Sequence, residues 1–205
     1  MDTFAVDRAA RRLPQPDDFA PETNREEELV QIAIVTISDR ASRGEYEDLS
    51  GPAIERWLRR VVVTPRFYSR RIVPDGLESV RDVLIDLCDR DDVNLILTTG
   101  GTGPSPRDLT PEAMRQVMTK EMPGFGERMR QVSFEQVPTA ILSRQTAGIR
   151  GRSLIVNLPG KPSSIDVCLN AVFPAVPYCL DLIGAGMIVI DPAMLQCYRP
   201  EKHTV

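Results

Sequence analysis

Histidine is almost missing from this chain: the single one, His203, stands close to the C-terminus and is assigned no role. Cysteine is sparse too. Cys88, Cys168, Cys179 and Cys197 lie far apart, and no two have the short spacing of a zinc site or a redox pair. Cys88 and Cys168 fall at apolar positions of predicted helices, so they read as reduced core thiols of a cytoplasmic protein. A basic surplus is absent, with 25 Lys and Arg against 29 Asp and Glu and a formal charge of -4. That excludes a protein that coats nucleic acid, whose phosphates demand positive charge, but leaves room for a local basic pocket. No apolar run near ~20 residues is read, so neither a membrane span nor a membrane partner is expected. The basic-then-apolar layout of a secretory signal is missing from the N-terminus.

What is present is ordinary globular composition, 42% hydrophobic and 26% charged over 205 residues. A chain of this size buries roughly 70% of its unfolded surface. Residues 1–28 differ from the rest: "RRLPQPDDFAPETNREEE" is rich in proline and charge without apolar periodicity, and reads as a flexible extension. One domain is expected over 29–190, followed by a tail over 191–205.

Within the domain, "VQIAIVTI" is almost continuously apolar, the pattern of a strand buried on both faces of a parallel sheet. "SDRASRGEYEDLSG" reads as a polar loop, and "PAIERWLRRVV" as a helix with Pro52 in its first turn and Trp57 in the core. "RFYSRRIV" is a second strand, ending at Pro74-Asp75-Gly76. Val80, Val83, Leu84, Leu87 and Cys88 have helical spacing. "VNLILTT" is a third strand. "TPEAMRQVM" opens a helix with Thr110 as the expected N-cap and Glu112 as a first-turn acid favoured by the helix dipole. A helix is expected over 124–132, where Arg128 and Arg130 read as a solvated face or subunit rim. A hairpin is expected to turn near Arg150-Gly151-Arg152. "SSIDVCLNAVFPAVPYCLDLI" reads as a long helix, capped by Ser163 or Ser164 and bent or restarted at Pro174 and Pro177. Strands alternating with helices imply a three-layer α/β/α sandwich with a mostly parallel sheet.

In such sheets ligands bind outside the carboxyl ends of the strands. Four polar stretches fall there: Ser38-Asp39-Arg40, Asp75, Gly100-Gly101-Thr102-Gly103, and Gly160-Lys161-Pro162-Ser163-Ser164. Successive N–H groups without side chains make a concave donor surface for phosphate oxygens, so Gly100 to Gly103 form a phosphate cradle. Neither common phosphate fingerprint fits. Arg107 is out of frame for a P-loop lysine, and Pro106 occupies the third glycine position of GxGxxG, which ranks a nicotinamide dehydrogenase last among the alternatives. Arg107-Asp108 beside the glycines adds a cation for phosphate and a carboxylate for a metal ion. On spacing alone, Asp75 could be a turn residue, Asp39 a loop cap and Lys161 a solvated lysine.

"ISDRASRGEYED", "TTGGTGPSPRDLTPE", "KEMPGFGERMRQVS", "PTAILSRQ" and "LPGKPSSIDVCLNAVFPAVPYCLDLI" stand in this order. Together they resemble the molybdopterin adenylyltransferases of molybdenum-cofactor biosynthesis, over roughly 31–183. The resemblance implies an α/β/α fold, a homotrimer, and transfer of an adenylyl group from ATP to molybdopterin with Mg2+ and release of pyrophosphate. It matches Asp75 and Asp108 to the family's two catalytic, metal-holding acids. Phosphate contacts are then expected from Gly100, Gly101, Thr102, Gly103 and Arg107. Molybdopterin contacts are expected from Ser38, Asp39, Gly160, Lys161, Pro162, Ser163 and Ser164. A molybdate-insertion enzyme of the same pathway is the implied partner. The chain departs from the pattern in its N-terminal extension, in Gly76 where an acid is expected after Asp75, and in a short segment between Asn170 and Phe173. The alternatives are a non-catalytic molybdopterin carrier or scaffold and a pyrophosphatase or amidohydrolase relative; the "PGKPSSI" segment and the helix after it argue against the latter.

Overall fold

The computed structural model describes residues 29–63 and 65–200; the expected extension over 1–28 lies outside them. The continuously apolar runs become the middle of the sheet. β1 (Gln31–Ile37), β3 (Leu95–Thr99) and β6 (Ser153–Leu158) are buried almost throughout. β2 (Arg66–Val73) alternates exposed and half-buried residues and forms one edge, where arginines discourage further pairing. A hairpin joins β5 (Ala147–Arg150) to β6 across Gly151, whose φ of +55° suits the tight turn predicted there. β4 (Lys120–Glu121), too short to leave a sequence signal, closes the other edge. The order is β2-β1-β3-β6-β5-β4, with the first four strands mutually parallel.

Period-two alternation sends neighbouring side chains to opposite faces, and the core divides accordingly. Ile32, Ile34, Leu95, Leu97 and Val156 face one layer: α2 (Ser50–Val61), α5 (Pro123–Phe134), α6 (Ile165–Val172) and α7 (Val176–Leu182). Ala33, Val35, Ile96 and Ile155 face the other: α3 (Leu77–Ile85) and α4 (Thr110–Val117). The expected α/β/α sandwich is therefore observed. Trp57 is fully buried in the first layer. Its indole N–H donates to Asn170 Oδ1 at 2.9 Å and its ring meets Phe173 edge-on at 4.8 Å.

Several local expectations change. The polar loop after β1 contains a one-turn helix, α1 (Asp39–Ser42), capped by the Ser38 hydroxyl, which accepts from Ala41 N at 3.3 Å. The helix expected over 78–90 ends in a wider turn over Asp86–Arg90. The proline-containing segment is interrupted at Phe173–Ala175, where Pro174 lacks the N–H that a continuous helix needs. By length and composition Pro162–Leu182 could cross a membrane, contrary to the sequence reading; half of it is buried against the sheet and neighbouring helices, as a core helix is. The four cysteines are free. Burial pushes the Cys88 thiol up to about 11 against the opposing hydrogen bond from Ser153, so it carries no reactive thiolate at neutral pH.

Candidate active site

The parallel strands end side by side, Ile37 opposite Val73, Thr36 opposite Thr99, and Thr99 opposite Leu158. The loops that follow them are thus gathered along one sheet edge. Two of the loops touch. Gly160 lies so close to the glycine loop that a Cβ there would be 3.2 Å from Gly100 Cα. Thr99 Oγ1 donates to Pro159 O at 2.7 Å, and the Ser50 hydroxyl donates to Gly160 O at 2.9 Å.

The acidic residues divide into two local arrangements. Asp39 and Asp75 exchange bonds: Asp39 N–H donates to Asp75 Oδ2 at 2.9 Å, and Asp75 N–H to Asp39 Oδ1 at 3.1 Å. Neither is only the isolated loop or turn residue that spacing alone would allow. Arg107 reaches across from the glycine loop, its Nη1 3.7 Å from Asp39 Oδ2, and joins the third strand's loop to the first two. Asp108 folds back on its own loop, where its Oδ2 accepts from Ser105 N–H at 2.9 Å. Asp75 and Asp108 each spend one carboxylate oxygen on a backbone N–H, and no bond occupies the other oxygen among the described residues.

The residues expected around molybdopterin are not all in one cavity. Ser38, Gly100 and Gly160 line a cleft of about 220 Å³, together with Arg40, Tyr46 and Asp48. Lys161, Ser163 and Ser164 line a second cleft of about 270 Å³, with Ser133, Ser143 and Gln145. The Gln145 amide nitrogen is buried there without a partner. A larger cavity of about 340 Å³ is apolar, lined by residues such as Met122, Phe125 and Pro174, and uses none of the strand-end residues. Pro162 begins a single turn of 3-10 helix, and Ser164 occupies the cap position of α6. Contrary to expectation neither serine caps: no hydroxyl bonds the helix N–H groups, which leaves both facing the cleft.

Thr110 also differs. The helix boundary falls at Leu109, and the Thr110 hydroxyl instead donates to Gly100 O at 3.0 Å while its N–H donates to Gly101 O at 3.1 Å. It ties α4 to the glycines. Thr102 is buried, and its carbonyl accepts from Arg144 N–H at 2.7 Å.

Arg144, Asp48 and Ser50, which the sequence reading did not single out, are placed by the structure at these strand-end loops. Asp48 Oδ1 accepts from the N–H groups of Ser50 and Gly51, and its Oδ2 from the Thr36 hydroxyl at 2.9 Å, which organises the entry to α2 under the first cleft. Arg144 Nε donates to Gly103 O at 2.9 Å, and its terminal nitrogens donate to Asp108 O and to the Glu112 carboxylate. Glu112 is thus an ion-pair partner as well as a helix acid. Arg130, read as solvated, points inward and donates to Gln145 O at 2.8 Å.

Burial raises the Glu112 carboxyl, but the Arg144 hydrogen bond, its own backbone and the charges of Arg144 and Arg115 outweigh it and hold the group below 4.5. Its folded value lies below the unfolded one, so its stabilisation is complete above 4.5 and is lost as pH falls through the lower folded value. Urea unfolding from about pH 7 to about pH 3 should therefore show an acid loss that Glu112→Gln flattens by about 1 kcal/mol or less, solvent screening included. An unchanged slope in the variant would refute the pairing.

The fold and these loops define a class: an open α/β protein with a glycine-lined cradle, carboxylates and hydroxyl-rich clefts at the carboxyl edge of its sheet. Comparison with known proteins narrows it. Residues 33–178 match the family described as "Probable molybdopterin binding domain". A molybdopterin adenylyltransferase of Helicobacter pylori strain J99 is 50% identical over 175 residues, 85% of this chain and 99% of that one. Its counterpart from Escherichia coli K12 is 44% identical over 185 residues, 84% of this chain and 95% of that one. The crystal structure of the molybdopterin biosynthesis enzyme MoaB from Thermus thermophilus superposes with a TM-score of 0.70 at 42% identity, over 75% of this chain and 96% of that one. The chain belongs to the molybdopterin adenylyltransferase family of molybdenum-cofactor biosynthesis.

Proposed function

We propose that this chain transfers the adenylyl group of ATP to the terminal phosphate of molybdopterin. A phosphate oxygen of molybdopterin attacks the α-phosphorus of ATP, the bond to the bridging oxygen breaks, and pyrophosphate leaves with the electron pair. The protein's task in such a reaction is to position the reactants and to neutralise charge. The observation that carries the reading is the juxtaposition at one sheet edge of the glycine loop, the Asp75 and Asp108 carboxylates and the Lys161–Ser163–Ser164 cleft.

The backbone N–H groups of Gly101, Thr102 and Gly103 face the nucleotide phosphates, while Gly100 N–H is spent on Leu158 O and anchors the turn, and Arg107 adds positive charge where it bridges the loops. Ser38, Asp39, Gly160, Lys161, Pro162, Ser163 and Ser164 hold molybdopterin. The buried Gln145 amide supplies a donor for it in the second cleft. Asp75 and Asp108 hold Mg2+. No cluster of three acidic, histidine or cysteine donors is present among the described residues. Magnesium suits this, because it is commonly bound by one or two carboxylates together with waters and substrate phosphates. The open oxygens of Asp75 and Asp108 are suitable donors, and bound Mg2+ supplies neutralisation of phosphate charge.

The family resemblance further supports a cytoplasmic homotrimer whose product passes to a molybdate-insertion enzyme. The reading is tested by single turnover: protein, molybdopterin, labelled ATP and Mg2+ should give adenylylated pterin and pyrophosphate in equal amounts. Molybdopterin binding without either product would overturn it in favour of a carrier.

A further inference from the structure

The segment Ser143-Arg144-Gln145 belongs to both halves of the site. On one side Arg144 grips the glycine loop at both ends. Its N–H donates to Thr102 O and its Nε to Gly103 O, while its terminal nitrogens take Asp108 O and Glu112. On the other side Ser143 and Gln145 line the hydroxyl-rich cleft with Lys161, Ser163 and Ser164. The Ser143 hydroxyl donates to Gln145 Oε1, and Arg130 from α5 holds the Gln145 carbonyl at 2.8 Å. The same carbonyl lies hard against Gly126, where a Cβ would come within 2.1 Å of it. The segment is therefore backed by a helix on one side, so a displacement at the cleft is passed on to the loop. Arg144 itself is not among the residues lining the two clefts.

We propose that Arg144 is a positioning residue that couples occupancy of the Ser143–Gln145 cleft to the geometry of the Asp108 loop. This rests on the adenylyl-transfer reading, in which that cleft takes molybdopterin and the loop takes phosphate and metal. The chemistry favours arginine for the task. Its planar fork presents several donors in fixed directions and spans separated carbonyls and a carboxylate at once; a lysine ammonium cannot. A loop with two glycines at positive φ has little stiffness of its own, so it takes its shape from such outside contacts. A molybdopterin hydrogen-bonded to Gln145 fixes the segment, and the fixed segment sets where Asp108 and the glycine N–H groups point. Order in the loop then follows pterin binding, before the metal or nucleotide arrives.

The test uses the full chain as wild type, Arg144→Ala and Arg144→Lys, with two readouts. The first is amide hydrogen exchange over 102–108 with and without molybdopterin, in the absence of Mg2+. Molybdopterin should slow exchange there in the wild type and leave it unchanged in Arg144→Ala. The second is turnover. A misplaced loop should lower kcat about 10²-fold, while the molybdopterin Kd stays within about threefold, because the lost interaction serves the transition state rather than binding. Arg144→Lys should lie between, and added guanidinium ion should restore part of the Arg144→Ala activity. A merely structural arginine would lower stability and binding together and would not break the exchange coupling. Persistence of molybdopterin-induced protection in Arg144→Ala, or a kcat within about threefold of wild type, would overturn the proposal. If Arg144→Ala fails to fold, Arg144→Lys decides by the same two criteria. Failure of the wild type to form product would count against adenylyl transfer instead, while the exchange experiment would still judge the coupling.

Discussion

Asp108→Asn is expected to slow single-turnover formation of adenylyl-molybdopterin by about 10² to 10³-fold, the cost of removing one charged stabiliser from a phosphoryl-transfer site. The variant isolates charge from shape. Asp108 Oδ2 accepts from Ser105 N–H at 2.9 Å, and an asparagine oxygen can accept the same bond, so the loop keeps its turn. Its backbone carbonyl, held by Arg144, is untouched. What disappears is the negative charge of the open oxygen, which the proposed assignment gives to Mg2+. The molybdopterin Kd, read by fluorescence or calorimetry, should move by less than about threefold, because that contact is made elsewhere. Asp75→Asn should behave alike, since Asp75 Oδ2 also accepts a backbone N–H, that of Asp39. Raising Mg2+ should recover part of the loss in either variant. Equal losses of pterin binding and turnover would refute the metal-holding role and make these carboxylates parts of the pterin site.

The fold was legible in the sequence wherever burial dictates residue type. β1, β3 and β6 have apolar side chains on both faces, so their runs stand out; β2 was legible from its branched and aromatic residues and the turn after it. Proline marked where the segment after Lys161 breaks, because a missing N–H acts locally. Elements held by tertiary contact alone left no such trace. β4 is two residues long and exists because Ile149 and Ala147 carbonyls accept from Thr119 and Met122. The one-turn α1 exists because Ser38 caps it and Asp39 pairs with Asp75 across 36 residues.

The site divides in the same way. The glycines, serines and aspartates of the candidate site stood out because a phosphate cradle of the kind proposed constrains residue type within a short stretch. Arg144 was not, although it lies in a motif that carries the family resemblance, because its bond to Gly103 spans 41 residues. A basic residue after a short 3-10 turn has no local property that points back to a particular loop. The division into two clefts was equally hidden, since it depends on Gly160 meeting Gly100 through space.

A methyl group added at Gly100 is expected to be the most costly on the glycine loop, for a reason that lies on the other side from Gly160. The φ of Gly100 is +102°, a conformation that L side chains rarely adopt, and a Cβ would lie 2.2 Å from the carbonyl oxygen of Ile37, the last residue of β1. The obstacle is backbone within the central sheet, so no side-chain rotation can relieve it. Gly100→Ala should cost about 3 kcal/mol or more, the sum of a forbidden backbone conformation and displacement of a strand end. Two other glycines calibrate the result. Gly44 has a φ of +71° with open space around it, so Gly44→Ala carries only the left-handed penalty of about 1 to 2 kcal/mol. At Gly101 the Cβ would meet the Thr110 hydroxyl at 2.3 Å; that oxygen can rotate away, at the loss of its bond to Gly100 O. Gly101→Ala should therefore fall between them. Urea unfolding followed by the fluorescence of Trp57, the sole tryptophan, would rank the three. A Gly100→Ala midpoint equal to that of Gly44→Ala would mean that the glycine loop does not press on the end of β1. The order Gly44, Gly101, Gly100 would show that the cradle is bare of side chains because the sheet edge leaves them no room, and not solely because phosphate needs the N–H groups.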